Sequence, residues 1–413
     1  MSKRNENRPG YKKTKVGWIP EEWECVRFGD VVRIGNGQVS PQEQPYCNYL
    51  HIGPENIISG TGQLTGLKTA AELRLISGKY FFDNNAIVYS KIRPNLNKVC
   101  MPGFLGICSA DAYPIWCKDK ITIYYLLYYM LSSLFVRQAT ACSMRTGLPK
   151  INRGELKTLS VSLPPLPEQK KIAEILSAWD RAIEQVGKLI DAKERLKKGL
   201  MQQLLTGRMR FAEFGKPVRG KGELPEGWKA CKLGDCFKER KETNPDLPLL
   251  AITSDRGVIP RDEVERKDTS NADKSKYKRI APGDIGYNTM RMWQGVSAVS
   301  TLEGIVSPAY TICTPTKGHS SNFFGYLFKY PPMIHLFHRF SQGLVSDTLN
   351  LKFRHFSQVK ANVPSEAEQI RIAAVLSTCD REIELLKKKL EKLKEQKKGL
   401  MQKLLTGEVR VKI

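Results

Sequence analysis

Apolar residues recur at alternating steps of four and three in two long stretches. In the first they fall at Ile172, Leu176, Trp179, Ile183, Val186 and Ile190, and resume at Leu200 and Leu204. In the second they fall at Ile372, Leu376, Cys379, Ile383, Leu386, Leu390 and Leu393, and resume at Leu400 and Leu404. A 3.5-residue period with charged residues at the remaining positions is the pattern of a coiled-coil seam. Pro164, Pro165 and Pro167 mark the entry of the first helix and Pro364 that of the second; Gly207 and Gly407 stand where C-terminal caps belong. About 39 residues rising 1.5 Å each make a rod of roughly 58 Å. The competing reading, one helix face buried against a neighbouring core, fits poorly, because the seam is narrow and the rest is charged. The pattern predicts two long helices packed on each other.

Outside these stretches the period shortens. Ala86–Ser90 and Ile285–Thr289 predict short strands, whereas residues 122–138 and 322–339 predict helices. Residues 208–224, rich in Gly, Lys and Arg, predict a linker. The fold class is mixed α/β.

The two stretches are also copies of one another. Residues 168–210 align with 368–410 without a gap, identical at 22 of 43 positions, and Lys197–Gly207 repeats almost unchanged as Lys397–Gly407. The repeat reaches beyond the helices. Trp18-Ile19-Pro20-Glu21-Glu22-Trp23 parallels Glu223-Leu224-Pro225-Glu226-Gly227-Trp228, and Gly29-Asp30 parallels Gly234-Asp235. Ile87, Tyr89 and Arg93 match Ile285, Tyr287 and Arg291, and Tyr113 matches Tyr310. A period of about 200 residues means domain duplication, not a solenoid. The expected partition is a globular domain over 1–163, a repeat helix over 164–207, a second globular domain over 208–363 and a second repeat helix over 364–413.

Charge sharpens the functional question. The chain of 413 residues carries a formal net charge of +24. The excess is spread as +9 over 1–162, +4 over 163–212, +7 over 213–362 and +4 over 363–413, so there is no basic tail. Such an excess points to a polyanion, nucleic acid first and an acidic membrane surface second. No apolar run approaches the roughly 18–20 residues of a membrane span, and the start of the chain is too polar for a secretory signal. Ten cysteines without CxxC spacing suggest reduced thiols and a cytoplasmic protein. No metal site is expected; His335 and His338 lie among Phe and Leu as packing residues.

Catalytic signatures are weak. Gly215-x4-Gly220-Lys221-Gly222 mimics a phosphate loop but has Gly222 where the Mg²⁺-binding Ser or Thr belongs. Pro245-Asp246 followed by Glu265-Arg266-Lys267 meets a nuclease pattern only at a stretch, since Glu-x-Lys recurs elsewhere in the chain. There is no Asn-Pro-Pro-aromatic tetrapeptide for methyl transfer to an amino group, and no Ser/His/Asp or Cys/His grouping.

Binding signatures are better, and they fall at matched positions. Lys91, Arg93, Asn95, Asn97 and Lys98 follow one predicted strand; Asn288, Thr289, Arg291, Trp293 and Gln294 follow or close the other. Arg suits guanine and Asn or Gln suit adenine in the major groove, while Lys and Thr suit phosphates. The plainer alternative is a solvated loop. A second pair of segments, with Arg145 and Lys150 in one copy and Lys352 and Arg354 in the other, precedes each helix. These either contact phosphates or brace the helix entry.

Taken together, the Pro-Glu-x-Trp segments with their Gly-Asp, the run Pro164-Pro165-Leu166-Pro167-Glu168-Gln169-Lys170-Lys171-Ile172-Ala173 and the Lys-Lys-Gly-Leu-Met-Gln blocks resemble the specificity subunit of type I restriction–modification enzymes. The resemblance covers essentially the whole chain; Pro364-Ser365-Glu366-Ala367-Glu368-Gln369 departs from it by lacking the proline-rich approach. It implies two target-recognition domains, each reading one half of a gapped double-stranded DNA site, and two antiparallel helices acting as a ruler. It implies two modification subunits that methylate adenine with S-adenosylmethionine, and restriction subunits that add ATP- and Mg²⁺-dependent activity, so that this chain is non-catalytic and holds no cofactor. The alternatives are a stand-alone nuclease or methyltransferase and a structural coiled-coil scaffold.

Overall fold

The computed structural model describes all residues except 1–4, 144–148, 219, 221–222, 254–255, 266–269, 346–347 and 413. It divides into two compact units. The first comprises Met1–Gly187 with Lys389–Ile413, and the second Lys188–Lys388. Each unit therefore holds one globular part, the first half of the long helix that follows it and the closing half of the other long helix.

The long helices run over Leu166–Leu204 and Glu366–Leu405. Within the first unit, Asp180 meets Lys397 and Glu168 meets Arg410, so the two helical segments lie antiparallel. The second unit repeats the arrangement with Asp380 on Lys197 and Glu368 on Arg210. Ile172, Leu176, Ile190, Ile372, Leu376, Cys379 and Ile383 are buried, while Trp179, Ile183, Val186, Leu386, Leu390 and Leu393 are half-buried. Leu404 and Leu405 close the core of the first unit beside Ile172 and Leu176, and Leu204 and Leu205 close that of the second beside Ile372 and Leu376. Each fully buried leucine contributes about 1.5–3 kcal/mol, so these helix ends belong energetically to the globular bodies.

Gly207 and Gly407 take φ of +70° and +67°, which glycine adopts without the clash a Cβ brings. A Cβ would also strike the ring of Pro225 at the first and of Pro20 at the second. The repeated Pro-Glu-x-Trp segments are thus the seats on which the helix ends rest.

In the globular part of the first unit, Ala112–Cys117 pairs antiparallel with Val32–Ile34 and with Ile87–Ser90, which pairs in turn with Val99–Cys100. A second sheet orders Lys68–Thr69, Leu50–Ile52, Gly106–Cys108 and Tyr80–Phe82, with one parallel pair. Glu24–Arg27 pairs with Ser160–Leu163, the strand that leads into the long helix. The second unit repeats the first sheet with Tyr310–Pro315 between Phe237–Glu239 and Ile285–Asn288, and the last pairing with Lys229–Lys232 on Lys360–Val363.

Two expectations change. Residues 122–138 do not form one helix: Ile123–Leu131 ends at Ser132, whose hydroxyl caps the next helix, Ser133–Cys142, by accepting from the Phe135 N–H. Residues 322–339 likewise split into Ser321–Leu327 and Pro331–Phe340, because Pro331 offers no N–H to continue the first helix. The match of Tyr113 with Tyr310 slips by one residue. Tyr113 lies opposite Tyr89, whereas Thr311, not Tyr310, lies opposite Tyr287.

Candidate nucleic-acid interface

The two candidate segments of each copy come together in space. In the first unit the strand Ile87–Ser90 ends in a loop in which Arg93 and Asn97 both take left-handed backbone, at φ of +47° and +46°, around the short turn Pro94–Leu96. The Arg93 N–H donates to the Pro149 carbonyl at 2.7 Å and the Ile151 N–H to the Lys91 carbonyl at 2.9 Å, stapling 89–98 to 149–153. In the second unit the Leu351 N–H donates to the Thr289 carbonyl at 2.8 Å, repeating the second of these bonds, whereas the Arg291 N–H donates within its own loop to the Asn288 carbonyl at 3.1 Å. Backbone groups fix the loops, leaving side chains free to reach a ligand.

Not all candidates are free. Arg93, Asn95 and Lys150 are exposed. Asn97 is buried and donates to the Leu131 carbonyl at 3.0 Å, and Lys98 donates to the Pro54 carbonyl, so both brace the turn. Arg145 lies outside the described residues. In the second unit Arg291, Gln294, Lys352 and Arg354 are exposed. Asn288 accepts from the Met290 N–H, Thr289 donates to the Ala309 carbonyl, and Trp293 donates to the Met290 carbonyl while its ring meets His338 edge-on. These three shape the loop that presents Arg291 and Gln294.

One feature of the first unit escapes sequence reasoning. Lys91 and Lys150 lie 3.7 and 4.0 Å from the same carboxylate, Asp111. Arg153 stacks over both Tyr80 and Tyr113 at 5.1 and 4.9 Å. Burial and the neighbouring Lys150 push the Lys91 ammonium below its usual range, against the opposing pull of Asp111. Arg153 follows Lys150 by three residues, and a lone Arg there carries no signal that two distant tyrosines frame it.

The helix entries are built from buried polar groups. The Glu168 carboxylate accepts from the Trp23 indole at 2.9 Å and from Arg410 at 2.6 and 3.0 Å; Glu368 accepts from Trp228 at 3.1 Å and from Arg210 at 2.9 Å twice. Gln169 accepts from the Thr122 N–H and donates to the Lys120 and Pro164 carbonyls, and Gln369 repeats this with Ser320, Gly318 and Pro364. Tyr128 donates to Asp180, and Tyr326 to Asp380, each at 2.8 Å. The repeated Glu-Gln therefore fastens the globular part to its helix, despite the missing prolines at the second entry.

Lys221, Gly222, Arg266 and Lys267 lie outside the described residues, and Asp246 is exposed. Among the described residues no group of three His, Cys, Asp or Glu side chains is placed to hold a metal ion, and no helix is long and apolar enough to cross a membrane.

Comparison with known proteins adds the family. The model of the type I restriction modification DNA specificity domain matches twice, over residues 20–194 and 225–395. The chain is 30% identical to a putative type I restriction enzyme MjaX specificity subunit of Methanocaldococcus jannaschii, over 97% of each chain. It is 32% identical to the type I restriction enzyme EcoDI specificity subunit of Escherichia coli over 65% of this chain, a match spanning 54% of that relative's length. A solved structure described as concerning complex assembly and conformational transition of a type I restriction–modification system shares the fold, with a TM-score of 0.57 at 18% identity over 95% of this chain and 99% of that one. With the matched model covering both copies, the chain belongs to the type I restriction–modification DNA specificity family.

Proposed function

We propose that this chain is the sequence-reading subunit of a type I restriction–modification complex, and that each globular part reads one half of a bipartite, gapped site in duplex DNA. The observation that carries this is the stapled loop present in both copies with different exposed side chains, Arg93 and Asn95 in one and Arg291 and Gln294 in the other. A loop anchored by the same backbone bond in both copies, with two sets of base-reading groups, suits two different half-sites. Residues 1–163 and 208–363 are the reading bodies; 164–207 and 364–413 set their spacing and receive two modification subunits. Exposed leucines on the charged helices, Leu189, Leu196 and Leu385, support a partner surface there. S-adenosylmethionine, ATP and Mg²⁺ are held by the partner subunits, the restriction subunits joining through the complex, in the cytoplasm where the DNA is.

The test is binding of the chain, alone and with its modification subunits, to duplex DNA across a salt series. The expected affinity falls steeply with salt. Salt-independent binding, or cutting or methyl transfer by the chain alone with Mg²⁺ and S-adenosylmethionine, contradicts the assignment.

A further inference from the structure

The cluster around Tyr113 has more cationic charge than it neutralises. Lys91, Lys150 and Arg153 converge there with one carboxylate, Asp111, itself half exposed at 48%. The Lys91 side chain is only 12% exposed, and its ammonium lies 5.4 Å from the Tyr113 ring centroid. The buried Nε of Arg153 has no hydrogen-bond partner. Burying part of a cation without an acceptor is costly, and three cations share one half-exposed carboxylate here, so the cluster is shaped for a further anion.

The second unit has replaced every part of this cluster. The paired hydrogen bonds of the two copies set Lys91 against Thr289, Asp111 against Ala309 and Lys150 against Asn350, which puts Arg153 against Phe353. The ladders set Tyr113 against Thr311 and Tyr80 against Lys278. Lys278, the cation that this brings in, is engaged: it donates to the Tyr310 carbonyl at 2.7 Å and lies 3.9 Å from Glu239.

We infer that Lys91, Lys150 and Arg153 form a phosphate site that grips the DNA backbone in the first unit, and that the second unit lacks its counterpart. This rests on the DNA-reading function proposed above. The two half-sites are then held by unequal electrostatics: Asp111 occupies the site in the free protein, and a backbone phosphate takes over the two lysines, with the Arg153 guanidinium adding its charge beside them.

The experiment measures the affinity of the full chain for a mixed-sequence duplex across a salt series, by fluorescence anisotropy. Lys150→Ala and Arg153→Gln are each expected to flatten the slope of log affinity against log salt by about 0.9, one phosphate contact. Asn350→Ala, at the position that matches Lys150, leaves it unchanged. Asp111→Asn removes the internal competitor and tightens binding several-fold, a gain that a merely structural role does not produce. Thermal melts verify folding, and the exposed Lys150 keeps the test open if Arg153→Gln fails to fold. Wild-type slopes retained by Lys150→Ala and Arg153→Gln, or no gain with Asp111→Asn, overturn the phosphate site while leaving DNA reading intact. An equal loss with Asn350→Ala overturns the asymmetry. A wild-type chain that binds no duplex, alone or with its modification subunits, overturns both readings.

Discussion

Arg410 grips the buried Glu168 carboxylate through two parallel hydrogen bonds, Nε to Oε1 at 2.6 Å and Nη2 to Oε2 at 3.0 Å, across 242 residues of chain. Arg210 grips Glu368 in the same way. The end of each long helix thus returns to the beginning of the other. The two clamps differ in burial: the Arg410 side chain is 37% exposed and that of Arg210 only 2%. Removing one partner of a buried pair strands the other, at about 3–5 kcal/mol. Arg210→Met is expected to lower stability by that amount in urea unfolding, and Arg410→Met by distinctly less. Equal losses would show that burial does not set the strength of these clamps.

The same clamps make a prediction about half-chains. A chain ending after Arg210 lacks 389–413, which completes the first unit, but carries 189–210, its near copy. Two such half-chains can complete each other. Light scattering is expected to find a dimer, and Glu168→Gln to weaken it; a stable folded monomer would contradict the exchange.

Specificity should divide between the loops. Arg93→Ala is expected to relax one half of the target and Arg291→Ala the other, by about 1–3 kcal/mol for each lost bidentate contact. Asn97→Ala instead costs stability without altering the target, because its amide is committed to the Leu131 carbonyl. Binding to a library of randomised half-sites separates the outcomes.

Cys231 and Cys236 bring their sulfurs within 3.3 Å. The hydrogen bond between them lowers the Cys231 pKa below the ordinary thiol value and, with burial, raises that of Cys236. Cys231 therefore carries more thiolate near neutral pH and is expected to react first with iodoacetamide. Cys236→Ala removes the stabilising donor, so the alkylation profile of Cys231 moves to higher pH. An unmoved profile, read by mass spectrometry, would deny the coupling.

Local pattern carried much of this fold. The four-and-three spacing from Ile172 and from Ile372 marked the helices, and Ala86–Ser90 marked a strand, because burial of one face imposes a period on the chain. Non-local features carried no such mark. That Leu404 completes the core around Ile172 depends on contacts more than two hundred residues apart. The break at Ser132 came from a cap competing with a continuous apolar run. Lys91, Asp111, Lys150 and Arg153 meet only when two sheet neighbours and the stapled segment fold together. The repeated Glu-Gln was visible as a motif, but its role at the helix entry required the positions of Trp23 and Thr122.

Whether each copy reads one half of a gapped target is decided by the methylome of cells carrying the chain with its modification subunits. The expected result is a bipartite adenine-methylated motif of which only one half changes when residues 1–162 are replaced by those of another family member. No gapped motif, or a change in both halves, would contradict it.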